Sequence, residues 1–262
     1  MNWNLEWLTQ AMEKQPGKVS CVVKTLHTGK SFSYAPDTVH SSASVIKIYL
    51  MACLYQQAQA GKLRLTDRIV FRPELIAPSA GVLSYLRDMQ EMSVRDLMEL
   101  MIIVSDNSAT NILLDLAGME QVNGYLEGLG LEHTRFRRRM MDLEALKRGQ
   151  DNTTTSAETA DMLERIYRGR IVSPEACGEM MRTLKNQQSD SLIPWHFDEI
   201  LPEHSIAHKT GGLSGVVHDA AIIDGGKEPF VLCFFGSGVE VPAYSRLMQD
   251  ASLRIYKQIN EE

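Results

Sequence analysis

The chain reads as strand near both ends and as helix in between, and that order constrains its fold more than any other feature. Val19-Ser20-Cys21-Val22-Val23 and Ser31-Phe32-Ser33-Tyr34 are β-rich stretches around a His27-Thr28-Gly29-Lys30 turn, the pattern of a hairpin. The same idiom returns at Ser205 to His208, Gly215 to Asp224 and, after Gly225-Gly226, Phe230 to Gly236. An amphipathic stretch over the first twenty residues and another from about Pro242 to Ile259 read as helices. One sheet made from both termini, with two helices, is the expected result. Between the ends the apolar period is helical, with helix signals at nearly every junction. Ser93 with Asp96 approximates a capping box, Gly118 and Gly130 stop helices, and Ser173-Pro174 opens another. We therefore expect an α+β chain in which residues 1–42 and 196–262 form the sheet domain and residues 43–195 an inserted all-α domain.

Composition removes several functions. The 262 residues are 44% hydrophobic and 23% charged, ordinary for a globular chain able to bury a large core. No apolar run approaches the roughly 18 residues of a membrane span, because Lys47 breaks Val45 to Tyr55 and Phe230 to Phe235 has only strand length. The net charge of −6, from 27 basic and 33 acidic residues, repels nucleic acid and anionic lipid, so neither is an expected partner. The amino terminus has no basic start, apolar centre or small-residue cleavage site. Cys21, Cys53, Cys177 and Cys233 sit in apolar runs and read as buried free thiols. Both features suggest a cytoplasmic protein. The histidines show no paired spacing, so no metal and no cofactor are expected.

Three short motifs carry chemistry. Ser44-Val45-Ile46-Lys47 opens a helix that is apolar almost all round, hence buried. Spacing of three puts Ser44 and Lys47 on one face, where a desolvated Lys47 could take the Ser44 proton and leave a nucleophile. An N-cap serine with a snorkelling lysine explains the same residues, and the pattern arises by chance about once in such a chain. Ser105-Asp106-Asn107 interrupts two apolar helical stretches, where a solvated turn is the ordinary reading. Lys209-Thr210-Gly211-Gly212 continues a candidate strand, and its glycines could leave N–H groups free to hold an oxyanion. Together, in this order and at these separations, the three have a chance probability below roughly one in a thousand.

That set resembles class A β-lactamases and penicillin-binding proteins over nearly the whole chain. The resemblance implies an antiparallel sheet flanked by helices. It implies Ser44 as the acylated nucleophile, Lys47 as proton acceptor or relay, and Ser105 as proton shuttle toward the leaving nitrogen. Asn107 would hold the substrate amide, Lys209 and Thr210 the substrate carboxylate, and the N–H groups of Ser44 and Gly212 the oxyanion. Two ammonium groups so close, Lys47 and Lys209, would depress each other's pKa and help Lys47 act as a base.

The chain departs from the family in two places. Class A enzymes carry a Glu-x-x-Leu-Asn loop motif whose glutamate activates the deacylating water. Alignment through Thr134-Arg135-Phe136 and Thr153-Thr154 places Met140 at the glutamate and Glu144 at the asparagine, with one residue missing from the loop. Asp142 and Glu144 are then either solvated loop charges or, for Glu144, a substitute base. An arginine–aspartate pair that closes this loop in the family maps onto Arg138 and Asn152, with Asp151 beside it. Nine residues beyond Lys209, His218 occupies the place where many class A enzymes put a carboxylate-binding arginine, and reads either as that group or as a structural strand residue.

The expected activity is that of a serine acyl-transferring hydrolase acting on β-lactams or related amides and esters, on a small-molecule or peptide substrate bearing a carboxylate, with slow deacylation. A penicillin-binding protein acylated without turnover, or a cytosolic D-alanyl peptidase or esterase, is the alternative. The Lys-Thr-Gly and Ser-Asp-Asn pair argues against a glutaminase.

Overall fold

A computed structural model describes residues 4–77, 80–86, 88 and 91–261. Helix α1 (Glu6–Glu13) precedes the hairpin β1 (Lys18–Thr25) and β2 (Ser31–Tyr34), and β3 (His40–Ser41) leads into a 3-10 turn, Ala43–Ile46. The middle holds α2 (Lys47–Gln59), β4 (Arg68–Val70), β5 (Glu91–Ser93), α3 (Val94–Ile103), α4 (Asn107–Ala117) and α5 (Met119–Gly128). It continues with α6 (Leu143–Lys147), β6 (Thr153–Thr154), α7 (Ser156–Tyr167) and α8 (Pro174–Lys185). A second 3-10 turn, Ile193–His196, comes before β7 (Ile206–Leu213), β8 (Val216–Ile223), β9 (Phe230–Ser237) and α9 (Val241–Asn260).

The main sheet is antiparallel throughout, in the order β2-β1-β9-β8-β7, so strands from the two termini meet at the β1–β9 pair, where Cys21 lies opposite Phe234. β9 is central and buried on both faces, which explains why Phe230 to Phe235 is a continuous apolar run rather than an alternating one. Phe230, Leu232 and Phe234 face a core shared with α1 and α9, while Val231, Cys233 and Phe235 face the core of the helical middle. β7 is the edge strand, and its free side borders the 3-10 turn that carries Ser44.

The caps act as the sequence indicates: Ser93 Oγ accepts from Asp96 N at 3.1 Å, Ser173 Oγ accepts from Ala176 N at 3.2 Å, and Gly118 ends α4 with φ 78°. All four cysteines are free and buried. The middle is not purely helical, because β3 pairs with β6 and β4 with β5. These ribbons are two or three residues long, too short to impose a period of two on the sequence. Among the described residues no helix is long and apolar enough to cross a membrane.

Candidate active site

Ser44 does not cap a helix. It lies inside the 3-10 turn, and α2 begins only at Lys47, one turn deeper. Ala43 takes a left-handed φ of 43°, uncommon for a residue with a Cβ, and this bend sets the half-buried Ser44 beside the edge strand. Gly211 on β7 permits the approach: a Cβ there would meet Val45 Cγ2 at 3.1 Å, Ala43 Cβ at 3.2 Å and Ser42 O at 3.3 Å. The glycine of Lys-Thr-Gly is thus a packing requirement of the Ser44 turn.

Lys47 is fully buried, and its ammonium group donates to Ser105 O at 2.8 Å, Ser105 Oγ at 3.0 Å and Asn107 Oδ1 at 2.9 Å. Those bonds use all three protons. Among the described residues no hydrogen bond joins Lys47 to Ser44. The first motif therefore meets the second. Ser105 reaches Lys47 with both its hydroxyl and its carbonyl because it too is left-handed, φ 56°, in the break between α3 and α4.

Asp106 keeps that break in place. Fully buried, it caps α4 by accepting from Ala109 N at 2.9 Å, and its other oxygen accepts from Val82 N at 2.7 Å and Leu83 N at 2.8 Å. Gly81, φ 113°, lies so close that a Cβ there would overlap the carboxylate. Asp106 was readable only as the middle letter of a motif; its capping role was open to the N-cap rule.

Electrostatics separates the two lysines from ordinary ones. Burial, and then the charge of Lys209, push the Lys47 ammonium well below its usual range against a smaller opposing pull from Asp106. Lys209, also fully buried, is pushed down to about 7 by burial, with Asp219 resisting. Its ammonium donates to Thr210 O at 3.0 Å. Thr210 is half-buried and Gly212 exposed on the same edge strand.

The loop after the second motif forms a flap closed by an ion pair and main-chain hydrogen bonds. Arg138, only 4% exposed, pairs with Asp151 at 2.8 Å, while Asn152 Oδ1 accepts from Arg137 N at 2.8 Å and Arg138 N at 3.0 Å. The Asn152 carbonyl then accepts from Ser42 N at 2.8 Å, which ties the flap to the Ser44 turn. Asp151 takes the ionic role and Asn152 the main-chain role. Met140 belongs to this flap: its N–H donates to Asn111 Oδ1 at 2.7 Å and its carbonyl accepts from Asn111 Nδ2 at 3.1 Å. Asn111 is one helical turn along α4 from Asn107, which bonds Lys47. A cavity of about 300 Å³ is lined by Met140, Asn111, Asp142 and Glu74.

Two expected site residues are placed elsewhere. Glu144 is 72% exposed in the first turn of α6 and pairs with Lys147 at 2.8 Å, so its carboxylate stands in solvent rather than in a buried site. Asp142 caps the same helix through Ala145 N at 2.9 Å. His218 is fully buried, stacked on Phe235 at 4.4 Å. Gly236 N donates to its Nδ1 at 3.1 Å, which makes Nε2 the protonated nitrogen, donating to Ser41 O at 2.7 Å. Burial pushes its pKa down to about 4. A neutral ring with both nitrogens bonded cannot replace a carboxylate-binding arginine; the residue supports β3 instead.

A model of the beta-lactamase enzyme family matches residues 6–259. The chain belongs to the beta-lactamase enzyme family. Within this family it resembles in structure a beta-lactamase from Sphaerobacter thermophilus, with a TM-score of 0.89 at 32% identity over 98% of this chain and 97% of that one. A mutant of PBP-A, solved as an acyl-enzyme complex with penicillin-G, matches with a TM-score of 0.86 at 27% identity over 97% of this chain and 95% of that one. A beta-lactamase of Rhodobacter capsulatus is 27% identical over 183 residues, covering 69% of this chain and 62%, under two thirds, of that protein's length.

Proposed function

We propose that this family member is an acyl-transferring serine hydrolase that reacts with β-lactams or related amides and esters through a Ser44 acyl-enzyme and deacylates slowly. The observation that carries the reading is the convergence of Lys47, Ser105 and Asn107 beside the Ser44 turn, with Lys209 close enough to depress the Lys47 ammonium.

In the acylation step, Lys47 first gives up a proton and one of its three bonds. Its free amine then accepts the Ser44 hydroxyl proton as Oγ attacks the carbonyl carbon. The N–H groups of Ser44 and Gly212 take the oxyanion. Ser105 Oγ, hydrogen-bonded to Lys47, passes a proton to the leaving nitrogen as the C–N bond breaks, which leaves an ester on Ser44. Lys209 and Thr210 hold the substrate carboxylate, and Asn107 its amide. Completing turnover requires a water deprotonated beside the ester. Met140 stands where that base is expected and offers only a thioether.

A second reading, a penicillin-binding protein that is acylated but not turned over, draws on the same Met140 and on the outward Glu144. Labelling with penicillin-G followed by peptide mapping tests the assignment: the mass increase falls on the Ser44 peptide and is absent in Ser44→Ala. Undiminished labelling of Ser44→Ala contradicts it. Lys47→Ala is expected to fold and to acylate at least a hundredfold more slowly, since a positioned base supplies about 10²- to 10⁴-fold.

A further inference from the structure

The peptide group between Ser41 and Ser42 is gripped at both ends. His218 Nε2, on β8, donates to the Ser41 carbonyl at 2.7 Å, and the Ser42 N–H donates to the Asn152 carbonyl of the flap at 2.8 Å. In a planar trans peptide these two groups point in opposite directions, so a partner on each side fixes how the plane is turned. The left-handed bend at Ala43, φ 43°, follows directly, and Val45 N closes over it by donating to Ser42 O at 3.1 Å. A residue with a Cβ keeps such a φ only where its surroundings over-determine it. The clamped peptide stands immediately before that bend, and Ser44 immediately after it.

The aim of His218 Nε2 is itself fixed. The ring is fully buried, stacked on Phe235 at 4.4 Å and met edge-on by His40 at 5.6 Å. Gly236 N donates to Nδ1 at 3.1 Å, which keeps the proton on Nε2, facing Ser41. His40, the first residue of β3, is tied to the sheet as well: its Nε2 lies 3.1 Å from Ser20 Oγ on β1, and its Nδ1 lies 2.9 Å from Ser237 Oγ on β9. On its other side β3 pairs with β6, the two residues that follow Asn152. The two-residue strand is thus held between the sheet, through two histidine rings, and the flap, through its main chain.

We propose that His218 is a positioning residue for the Ser44 turn: its bond to Ser41 O, opposed by Asn152 O at Ser42 N, holds the Ala43 bend and so sets the rate at which Ser44 is acylated. The rate half of this inference rests on the reading of Ser44 as the acylated residue. His218 touches no substrate in this role, because the groups read as holding the substrate, Lys209 and Thr210, stand on β7. Losing the bond therefore frees the attacking hydroxyl to shift without removing a binding contact, so the acylation rate falls while affinity stays. A misplacement of about 1 Å at a reacting group costs up to about 10²-fold in rate.

Three variants separate the bond from the ring. In His218→Gln the amide nitrogen stands about as far from the backbone as Nε2 and can donate to Ser41 O. The shorter side chain of His218→Asn reaches only about as far as Nδ1 and can serve only Gly236 N, and His218→Phe keeps a ring against Phe235 but makes neither bond. With folding confirmed by circular dichroism, amide hydrogen exchange by NMR reads the Ser42 and Val45 N–H groups, and stopped-flow acylation by penicillin-G gives the rate constant and Kd separately. His218→Asn and His218→Phe are expected to exchange both amides faster and to acylate about 10- to 100-fold more slowly, with Kd within about twofold; His218→Gln is expected to recover the rate to within about fivefold. Equal losses in all three variants would assign the effect to ring packing and overturn the proposal, as would unchanged exchange in a folded His218→Asn or His218→Phe. Faster exchange with an unaltered acylation rate overturns the positioning of Ser44. Absence of any adduct on the unmodified protein overturns the Ser44 reading instead, and the exchange rates then decide by themselves whether His218 holds the turn.

Discussion

Asn111 and Met140 grip each other by two hydrogen bonds, the amide of one side chain closing on the main-chain N–H and carbonyl of the other residue at 2.7 and 3.1 Å. The grip fixes where residue 140 stands, independently of what its side chain is. Met140→Glu is therefore expected to keep the flap and to supply the missing carboxylate. The penicilloyl adduct should decay at least tenfold faster in Met140→Glu, followed by intact mass, given that a positioned base contributes about 10²- to 10⁴-fold. An unaltered decay rate would show that position 140 does not face the ester.

Glu144→Gln separates the two carboxylate readings of the flap. Exposed and paired with Lys147 within one helix, Glu144 should contribute little. The adduct lifetime is expected to stay within twofold of the unmodified protein, and a large extension would restore Glu144 as a base.

The parts legible in the sequence were those carried by local pattern. Continuous apolar strands, the caps at Ser93 and Ser173, the stop at Gly118 and the three motifs needed only near neighbours. Long-range placement was not legible in the same way. His218 stands at an arginine-like register, yet whether it faces the cleft or the core depends on Ser41 and Gly236, which are far away or on another strand. Glu144 had the right charge and nearly the right number, but the short helix α6, capped by Asp142, turns it outward. The partner of Lys47 was also open: spacing put Ser44 within reach, while the left-handed turn at Ser105 delivers the acceptors instead.

Arg138 and Asp151 carry the flap's closure. Removing one partner of a buried ion pair costs about 3–5 kcal/mol, and Asp151 at 20% exposure places the loss toward the low end. Asp151→Ala is expected to lower stability by roughly 3 kcal/mol in urea unfolding and to slow acylation, because the same flap ends on Asn152, whose carbonyl holds Ser42. A stability loss with unchanged acylation would show that the flap does not position the nucleophile.

Gly211→Val tests the packing of β7 on the Ser44 turn. Its Cβ alone would press on Val45, Ala43 and Ser42. Overpacking of this kind costs about 1–3 kcal/mol, so the protein should fold while acylation falls at least tenfold. Full activity would show that the strand yields more easily than this contact implies.

Stability should fall on the acid side of neutrality. Burial, then the charges of His218 and Lys18, push His40 down to about 3, and burial pushes His218 down to about 4. Both rings bind protons in the unfolded chain near pH 6.5 before they do in the folded one. Stability present above 6.5 is therefore lost as pH falls toward 4, by up to about 1.4 kcal/mol per pH unit for each ring. His208, raised to about 9 against its burial, works the other way, but the buried Lys47 and Lys209, pushed below the usual lysine range, gain stability as pH rises over the same alkaline interval and outweigh it. Urea midpoints should therefore fall as pH drops from about 7 to about 4, and midpoints unchanged over that interval would contradict these assignments.

The most direct measurement is the intact mass of the protein through a time course with excess penicillin-G, then after removal of free drug. The account predicts one added penicilloyl group, formed at Ser44, that persists long after the drug is gone and decays slowly. Rapid return to the unmodified mass would contradict the assignment of slow deacylation to Met140, and no adduct at any time would contradict Ser44 as the nucleophile for β-lactams.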